Sequence, residues 1–465
     1  MTAALTGRLN TLLLASLIAL TLLGALTGIA VFSVAGAACW LAFALLAVTT
    51  LSRAEAVLLS VAASVGVLVA ILAAHPVAVM LHGLAQGAAY ASLVLALSFV
   101  QAPAEGAPMV RRCGTYLIQQ GPGRRYLALT AGAHLFGSVL NLGAIALLGS
   151  MIEQSNTLEA AGGDARVREI RHRRMATALL RGFGTTTLWS TGSVAPSVML
   201  AMFPAVSWLQ LAANGLLLAV VMMALGWVLD RLQWSRATRI RAVVVQSTDT
   251  AVGALLPMVA LVAAMVTSVV AIKQVFGLSL SIAVVLVVPL AATIWLLVQY
   301  RSLAVTVRLL GRHCTVRLPR MRWEVLGLGS AGFIGTGIAA LVPPDALPHL
   351  LDALALPPAV LLIAASALML GIGQIGINPI VASTILGGAL SHLAHTSVPP
   401  MALITALMGP WTLYAMTSPF AASVIMAARV AETTPATLGQ VWNGWFLLLS
   451  FAVSSAMVVA LVALG

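Results

Sequence analysis

Charge is what this sequence has least of: only 8% of its 465 residues are Asp, Glu, Lys or Arg, against about a quarter in an average soluble domain. A length of 465 residues would otherwise suggest about three soluble domains. So little charge cannot cover separate water-facing cores, which excludes a soluble enzyme and leaves one polytopic membrane domain. Cysteine is nearly missing too. Cys39, Cys113 and Cys314 lie far apart, with no CxxC pair and no histidine at metal-ligand spacing, so neither a disulfide framework nor a zinc site is indicated and no cofactor is expected. Asp345, His349, His392 and His395 match no recognised metal pattern. The absence of GxxxxGK[ST], GxSxG and HExxH patterns withdraws support from ATP hydrolysis and the familiar hydrolytic chemistries.

What the chain does have is apolar length, with 61% hydrophobic residues. Crossing a hydrocarbon core of roughly 30 Å takes about 20 such residues. Spans of that kind fall near 9–28, 31–51, 54–74, 77–100, 177–203, 207–229, 251–273, 278–299, 324–342, 399–428 and 442–464. These make eleven crossings. Arg8 ahead of the first span resembles the start of a signal peptide, but the apolar run exceeds the usual 7–15 residues or so and a second span follows at once, so it is read as a helix. The stretches 126–151 and 357–395 remain to be placed.

The basic residues fix their placement, because Lys and Arg collect in cytoplasmic loops. With the amino terminus inside and the spans alternating, 22 of the 24 basic residues fall on the cytoplasmic side, in segments that include 101–125, 152–176, 230–250 and 300–323. The net charge of +12 thus records topology and attraction to anionic lipid, and calls for no nucleic-acid partner. Arginine-rich segments flank 126–151 on both sides, so that stretch begins and ends inside. The segment 343–356 holds Asp345 and Asp352 and no Arg or Lys, so 357–395 begins and ends outside. Both are therefore expected to be re-entrant hairpins entering from opposite faces, and non-helical backbone at that depth marks a polar site.

A weak internal repeat fits this topology. Gly192 to Met202 aligns without gaps to Ser418 to Ala428, and the hairpin run His134 to Gly149 aligns to Gly371 to Leu386, superposing Asn141 on Asn378. The expected organisation is a helix in 1–30, a first repeat in 31–229, a linker in 230–250 and a second repeat in 251–465. Each repeat holds a hairpin and an interrupted helix (177–203 and 399–428). With five crossings per repeat, the second is inverted relative to the first.

In this architecture the chain resembles the ion transporter superfamily, which includes divalent anion/sodium symporters and the membrane subunits of tripartite carboxylate transporters. The resemblance implies a homodimer with an elevator movement, in a bacterial inner membrane. It also implies a small anionic substrate and a coupling ion, Na+ or H+, held between two hairpin tips and two unwound helices. The positions it implies are Gly137, Ser138, Asn141 and Gly143 in one hairpin and Gln374, Gly376, Asn378 and Pro379 in the other. The symporters carry Ser-Asn-Thr at each tip and this chain does not, which leaves substrate and ion open.

The interrupted helices supply the remaining candidates. Thr185, Thr186, Thr187, Ser190, Thr191, Ser193 and Pro196 gather hydroxyls and helix breakers in mid-span, as do Gly409, Pro410, Thr412, Thr417, Ser418 and Pro419. Unwinding there frees carbonyl oxygens for a cation and amide N–H groups for an anion. The same hydroxyls also suit backbone repair beside a kink. His134 is a candidate proton carrier or anion contact, or a histidine satisfied by backbone. Arg181 is placed in the first turn of its span, as a carboxylate partner or snorkelling to the inner interface. No Asp or Glu falls deep in a span, since Glu55, Asp230, Asp249 and Glu324 lie at boundaries, which argues against a proton relay through buried acids. The readings that follow are a secondary anion transporter, the membrane subunit of a binding-protein-dependent system, or a membrane transferase or assembly component. Of these, enzymatic activity is the least expected.

Overall fold

The computed structural model describes residues 3–234, 252–343, 349, 353, 356–391, 393 and 398–464, and all regular structure among them is helical. Asp249, Asp345, Asp352, His392, His395 and most of the 230–250 linker lie outside the described residues. The first half runs through α1 (Ala3–Thr27), α2 (Ala30–Ala47), α3 (Arg53–Leu72), α4 (Pro76–Ser98), α5 (Gln101–Gly106), α6 (Pro108–Ile118), α7 (Pro122–Leu140), α8 (Gly143–Ser155), α9 (Ala165–Gly184), α10 (Val194–Met202) and α11 (Trp208–Gln233). The second half comprises α12 (Leu256–Phe276), α13 (Leu280–Tyr300), α14 (Leu303–Arg312), α15 (Arg322–Leu341), α16 (Pro358–Gln374), α17 (Pro379–Leu390), α18 (Pro400–Thr417), α19 (Ala422–Val430) and α20 (Gly444–Leu464). The chain is an all-α polytopic membrane protein.

Local chemistry sets many of the boundaries. Proline opens α4, α6, α7, α16, α17 and α18, where its missing N–H costs nothing because the first-turn donors have no partner anyway. Ser52 with Glu55 and Ser207 with Gln210 form reciprocal capping boxes at α3 and α11. Ten helical stretches among the described residues are long and apolar enough to cross a membrane. The eleventh expected crossing, 177–203, is divided: its helix α9 already begins at Ala165, stops at Gly184, and α10 resumes at Val194. In the second half α18 passes straight through Pro410, contrary to the expectation of a break there, and unwinds only over residues 418–421, around Pro419.

Both unplaced stretches are helix–turn–helix units. α7 and α8 turn at Asn141, and α16 and α17 turn at residues 375–378. The four helices have 19, 13, 17 and 12 residues, so at about 1.5 Å per residue none reaches the roughly 30 Å of a bilayer core. Each unit is followed by a broken helix whose second piece has nine residues, and then by a long apolar helix.

α4 and α15 pack against each other at very short range. A Cβ on Gly87 would lie 2.3 Å from the Gly329 carbonyl oxygen, so the glycines let the two backbones touch, as small residues do in membrane interfaces. Trp40 on α2 donates its indole N–H to the Val325 carbonyl of α15 at 3.1 Å. The segment 300–323, expected as a loop, instead forms α14, one π-helical turn and one 3-10 turn.

Two ion pairs tie these frames together. Arg322 forks onto both oxygens of Glu55 at 2.9 Å, and Arg174 onto both oxygens of Asp230 at 2.8 and 2.7 Å. Cys113 on α6 is fully buried, and burial pushes its thiol up to about 12. Since the thiolate is the reactive form, Cys113 is expected to escape maleimide at pH 8 in the folded protein and to label on denaturation; labelling of the native protein at the rate of a free thiol would contradict its burial.

Candidate functional site

The two hairpin tips and the two helix breaks converge on one cavity of about 1060 Å³. Asn141, Leu142 and Gly143 reach it from the first tip, and Gly376, Asn378 and Pro379 from the second. Thr187, Ser193, Val194 and Ala195 reach it from the first break, and Phe420, Ala421, Ala422 and Ser423 from the second.

The first tip is held to the first break by three short contacts. Asn141 takes φ 50°, ψ −135°, a positive-φ conformation outside the left-handed helical region that favours glycine and is strained for a residue with a side chain. Its Oδ1 accepts the Leu142 N–H at 2.8 Å, and its Nδ2 donates to the Gly192 carbonyl at 3.2 Å. Ser190 donates to the Ser138 carbonyl at 2.9 Å. A Cβ on Gly192 would sit 2.0 Å from that same Ser138 oxygen, so glycine is required there.

The second tip uses similar parts. Ser418 donates to the Gly373 carbonyl at 2.8 Å, and Gln374 Nε2 donates to Thr417 Oγ1 at 3.0 Å. Gly376 has φ 105°, a region open to glycine, and Asn378 caps α17 by accepting the Ile380 N–H at 2.9 Å. In each half, therefore, a serine of the broken helix bonds a carbonyl at the end of the first hairpin helix. Where the two broken helices meet, the hydroxyls of Thr187 and Thr412 lie 2.6 Å apart.

These bonds sort the expected site residues into two groups. Asn141, Thr187, Ser193, Gly376 and Asn378 line the cavity, whereas Gly137, Ser138, Thr186, Ser190, Gln374, Thr417 and Ser418 do not and instead shape the breaks around it. Thr185, Thr186 and Thr187 each return a hydrogen bond to the carbonyl three residues back, the backbone role such hydroxyls play beside an interruption. The Ser193 hydroxyl and the Asn378 Nδ2 make no hydrogen bond among the described residues, which leaves them free for a ligand.

His134 and Arg181 stand elsewhere. The Trp189 indole N–H donates to His134 Nε2 at 2.9 Å, and His134 Nδ1 lies 2.9 Å from Thr185 Oγ1, whose proton goes to Gly182. An indole only donates, so the ring is neutral with its proton on Nδ1, and both nitrogens are engaged outside the cavity. Arg181 lies in the last turn of α9, correcting the first-turn placement, because that helix starts twelve residues earlier than the expected span. It is 4% exposed, so it does not snorkel. Its Nε donates to Asn443 Oδ1 at 2.8 Å, its Nη1 to the Tyr126 hydroxyl at 2.9 Å and the Gly226 carbonyl at 3.2 Å, and it lies 4.6 Å from the Phe446 ring centre.

The sequence missed part of the lining. Phe183, Trp411, Tyr414 and Phe420 give the cavity aromatic walls, and Arg312, His313, Arg317 and Arg320 bring the 303–321 segment to its mouth. His313 Nε2 lies 2.8 Å from Ser98 Oγ, whose own proton goes to Leu95, and Arg317 pairs with Glu105. Trp411 and Phe420 sit inside the interrupted runs, but nothing in their spacing marks them as lining. Among the described residues no group of three or more His, Cys, Asp or Glu could hold a metal ion.

No protein-family model matches the chain, and no curated protein matches its sequence. Its fold is similar to that in the crystal structure of the YdaH transporter of Alcanivorax borkumensis, with a TM-score of 0.57 and 12% identity over 87% of this chain and 98% of that one. At that identity the likeness is one of fold.

Proposed function

We propose that this multi-pass membrane protein is a secondary active transporter of a small organic anion, a carboxylate, coupled to Na+ or H+ and working by an elevator movement as a homodimer. One observation carries the reading: four helices, α8, α10, α17 and α19, begin at the same cavity. A helix start carries about half a positive charge; the first-turn N–H groups of α8 are largely taken by the Asn141 and Leu142 carbonyls and that of Ile380 in α17 by Asn378, which leaves α10 and α19 as the starts with free donors. At α10 and α19 no side chain caps them. Inside a membrane such donors need a partner, and a carboxylate supplies acceptors to several at once. The resemblance in fold to the YdaH transporter supports transport as the use of such a site. A position in the bacterial inner membrane with the amino terminus inside agrees with the arginine distribution.

Uptake of radiolabelled carboxylates into proteoliposomes tests this reading. Asn378→Ala is expected to lower uptake at least about tenfold, the cost of one lost hydrogen bond to a charged group, with a modest fall in thermal midpoint because Asn378 also caps α17. Asn141→Ala is expected to lower uptake and thermal midpoint together, because both polar atoms of Asn141 hold the first tip in place. Uptake at the wild-type rate in either variant would count against a substrate held between the tips.

A further inference from the structure

We propose that the cavity selects a monovalent carboxylate with a ring-sized apolar body and rejects dicarboxylates, an inference that rests on the anion-transport reading above. Among the described residues, the hairpins and broken helices contribute no Lys, Arg or His to the lining. Arg181, buried in the first broken helix, is consumed by Asn443, Tyr126 and Gly226. Among the described residues, all cations of the lining come from 303–321, whose three arginines share the lining with Glu105 and Glu324. Arg312 and Arg320 are exposed to solvent, and Arg317 is paired with Glu105. Solvated charges of this kind attract only weakly.

Among the described residues of the hairpins and broken helices, the negative pole of a ligand therefore meets helix ends and no formal counter-charge. One carboxylate is matched by the N–H groups of α10 and α19, whereas a second would be buried without a cation, which is costly. The apolar end has an evident seat. Phe420 adjoins the start of α19, its ring lies 3.2 Å from where a Cβ on Gly376 would stand, and yet it is 55% exposed. Trp411 and Phe183 also line the cavity, and an apolar ring placed against Phe420 would remove its exposed aromatic surface from water.

Thermal shift of the purified full chain against benzoate, phthalate and acetate tests this directly, since phthalate adds a second carboxylate to the ring and acetate lacks the ring. Benzoate is expected to bind at least about tenfold more tightly than either. Phe420→Ala is expected to weaken benzoate about tenfold and so to narrow the ratio of benzoate to acetate affinity by about the same factor. Phthalate binding as tightly as benzoate, acetate binding as tightly as benzoate, or no benzoate binding to the folded protein would each overturn the proposal. Dicarboxylate transport by the same preparation would then leave the anion-transport reading standing; absence of transport with every anion would remove that reading itself.

Discussion

Gly192→Ala is expected to reduce carboxylate uptake about a hundredfold, the equivalent of the 3 kcal/mol or so at the upper end of overpacking costs. The added Cβ would lie 2.0 Å from the Ser138 carbonyl oxygen, and a backbone atom in a hairpin cannot rotate aside as a side chain would. Hairpin and break must therefore separate. The Ser190 bond to Ser138 and the Asn141 bond to Gly192 are lost together, and the N-terminus of α10 loses its position at the cavity. Gly7→Ala, with nothing within 4 Å of its Cβ, is the matching control and should transport normally. Uptake by Gly192→Ala within a few-fold of wild type would mean that the contact between first tip and first break does not hold the site.

The second large effect concerns stability. Asn443 joins Arg181 to the Met416 and Leu438 carbonyls, at 3.3 and 3.1 Å from its Nδ2, so one buried amide links α9 to the end of α18 and the start of α20. Asn443→Leu leaves the guanidinium buried with its Nε unpaired, a lost hydrogen bond to a charged group that costs about 1.5–3 kcal/mol, and it also strips the Met416 and Leu438 carbonyls of their donor. Arg181→Met removes the charge itself and leaves only neutral groups short of a partner, at about 1–3 kcal/mol. The order is the informative result: in reversible SDS denaturation Asn443→Leu should be the less stable of the two. If Arg181→Met proved the weaker protein, the arginine would be acting through a charge partner that this network does not contain.

How far the sequence reveals this arrangement depends on the scale of the feature. Long apolar helices are legible because a bilayer demands about 20 apolar residues in a row, and the eleventh crossing because hydroxyls and breakers interrupt 185–196. The turn at Asn141 is legible because arginine-rich segments on both sides of 126–151 forbid a single crossing, and that at Gly376–Asn378 because 343–356 carries Asp345 and Asp352 and no Arg or Lys. Which hydroxyl faces the cavity is not legible. Thr185, Thr186 and Thr187 are consecutive, so they point three ways around a helix, and only tertiary packing puts Thr187 on the cavity, Thr185 beneath His134 and Thr186 in neither place. Pro410 misleads for a related reason: α18 absorbs it and unwinds at Pro419 instead. Arg181 looks like a site residue because intramembrane charge usually is one, and its neutral partners Asn443, Tyr126 and Gly226 lie 262, 55 and 45 residues away in the chain. The segment 303–321 contributes arginines to the mouth of the cavity only because it folds back as α14 and its following turns, a placement that composition does not predict.

The claim underlying all of this is that converging helix ends make the cavity attractive to anions without a fixed cation. It is tested most directly by labelling Ser193→Cys, with Cys39, Cys113 and Cys314 replaced by serine, using anionic and cationic thiosulfonates of similar size. Ser193 is the N-cap of α10 and lines the cavity. After correction for their rates with a free thiol, the anionic reagent is expected to react about tenfold faster, as about 1.4 kcal/mol of helix-end attraction requires, and benzoate should slow it. Equal rates, or faster labelling by the cationic reagent, would contradict an anion site at these helix ends.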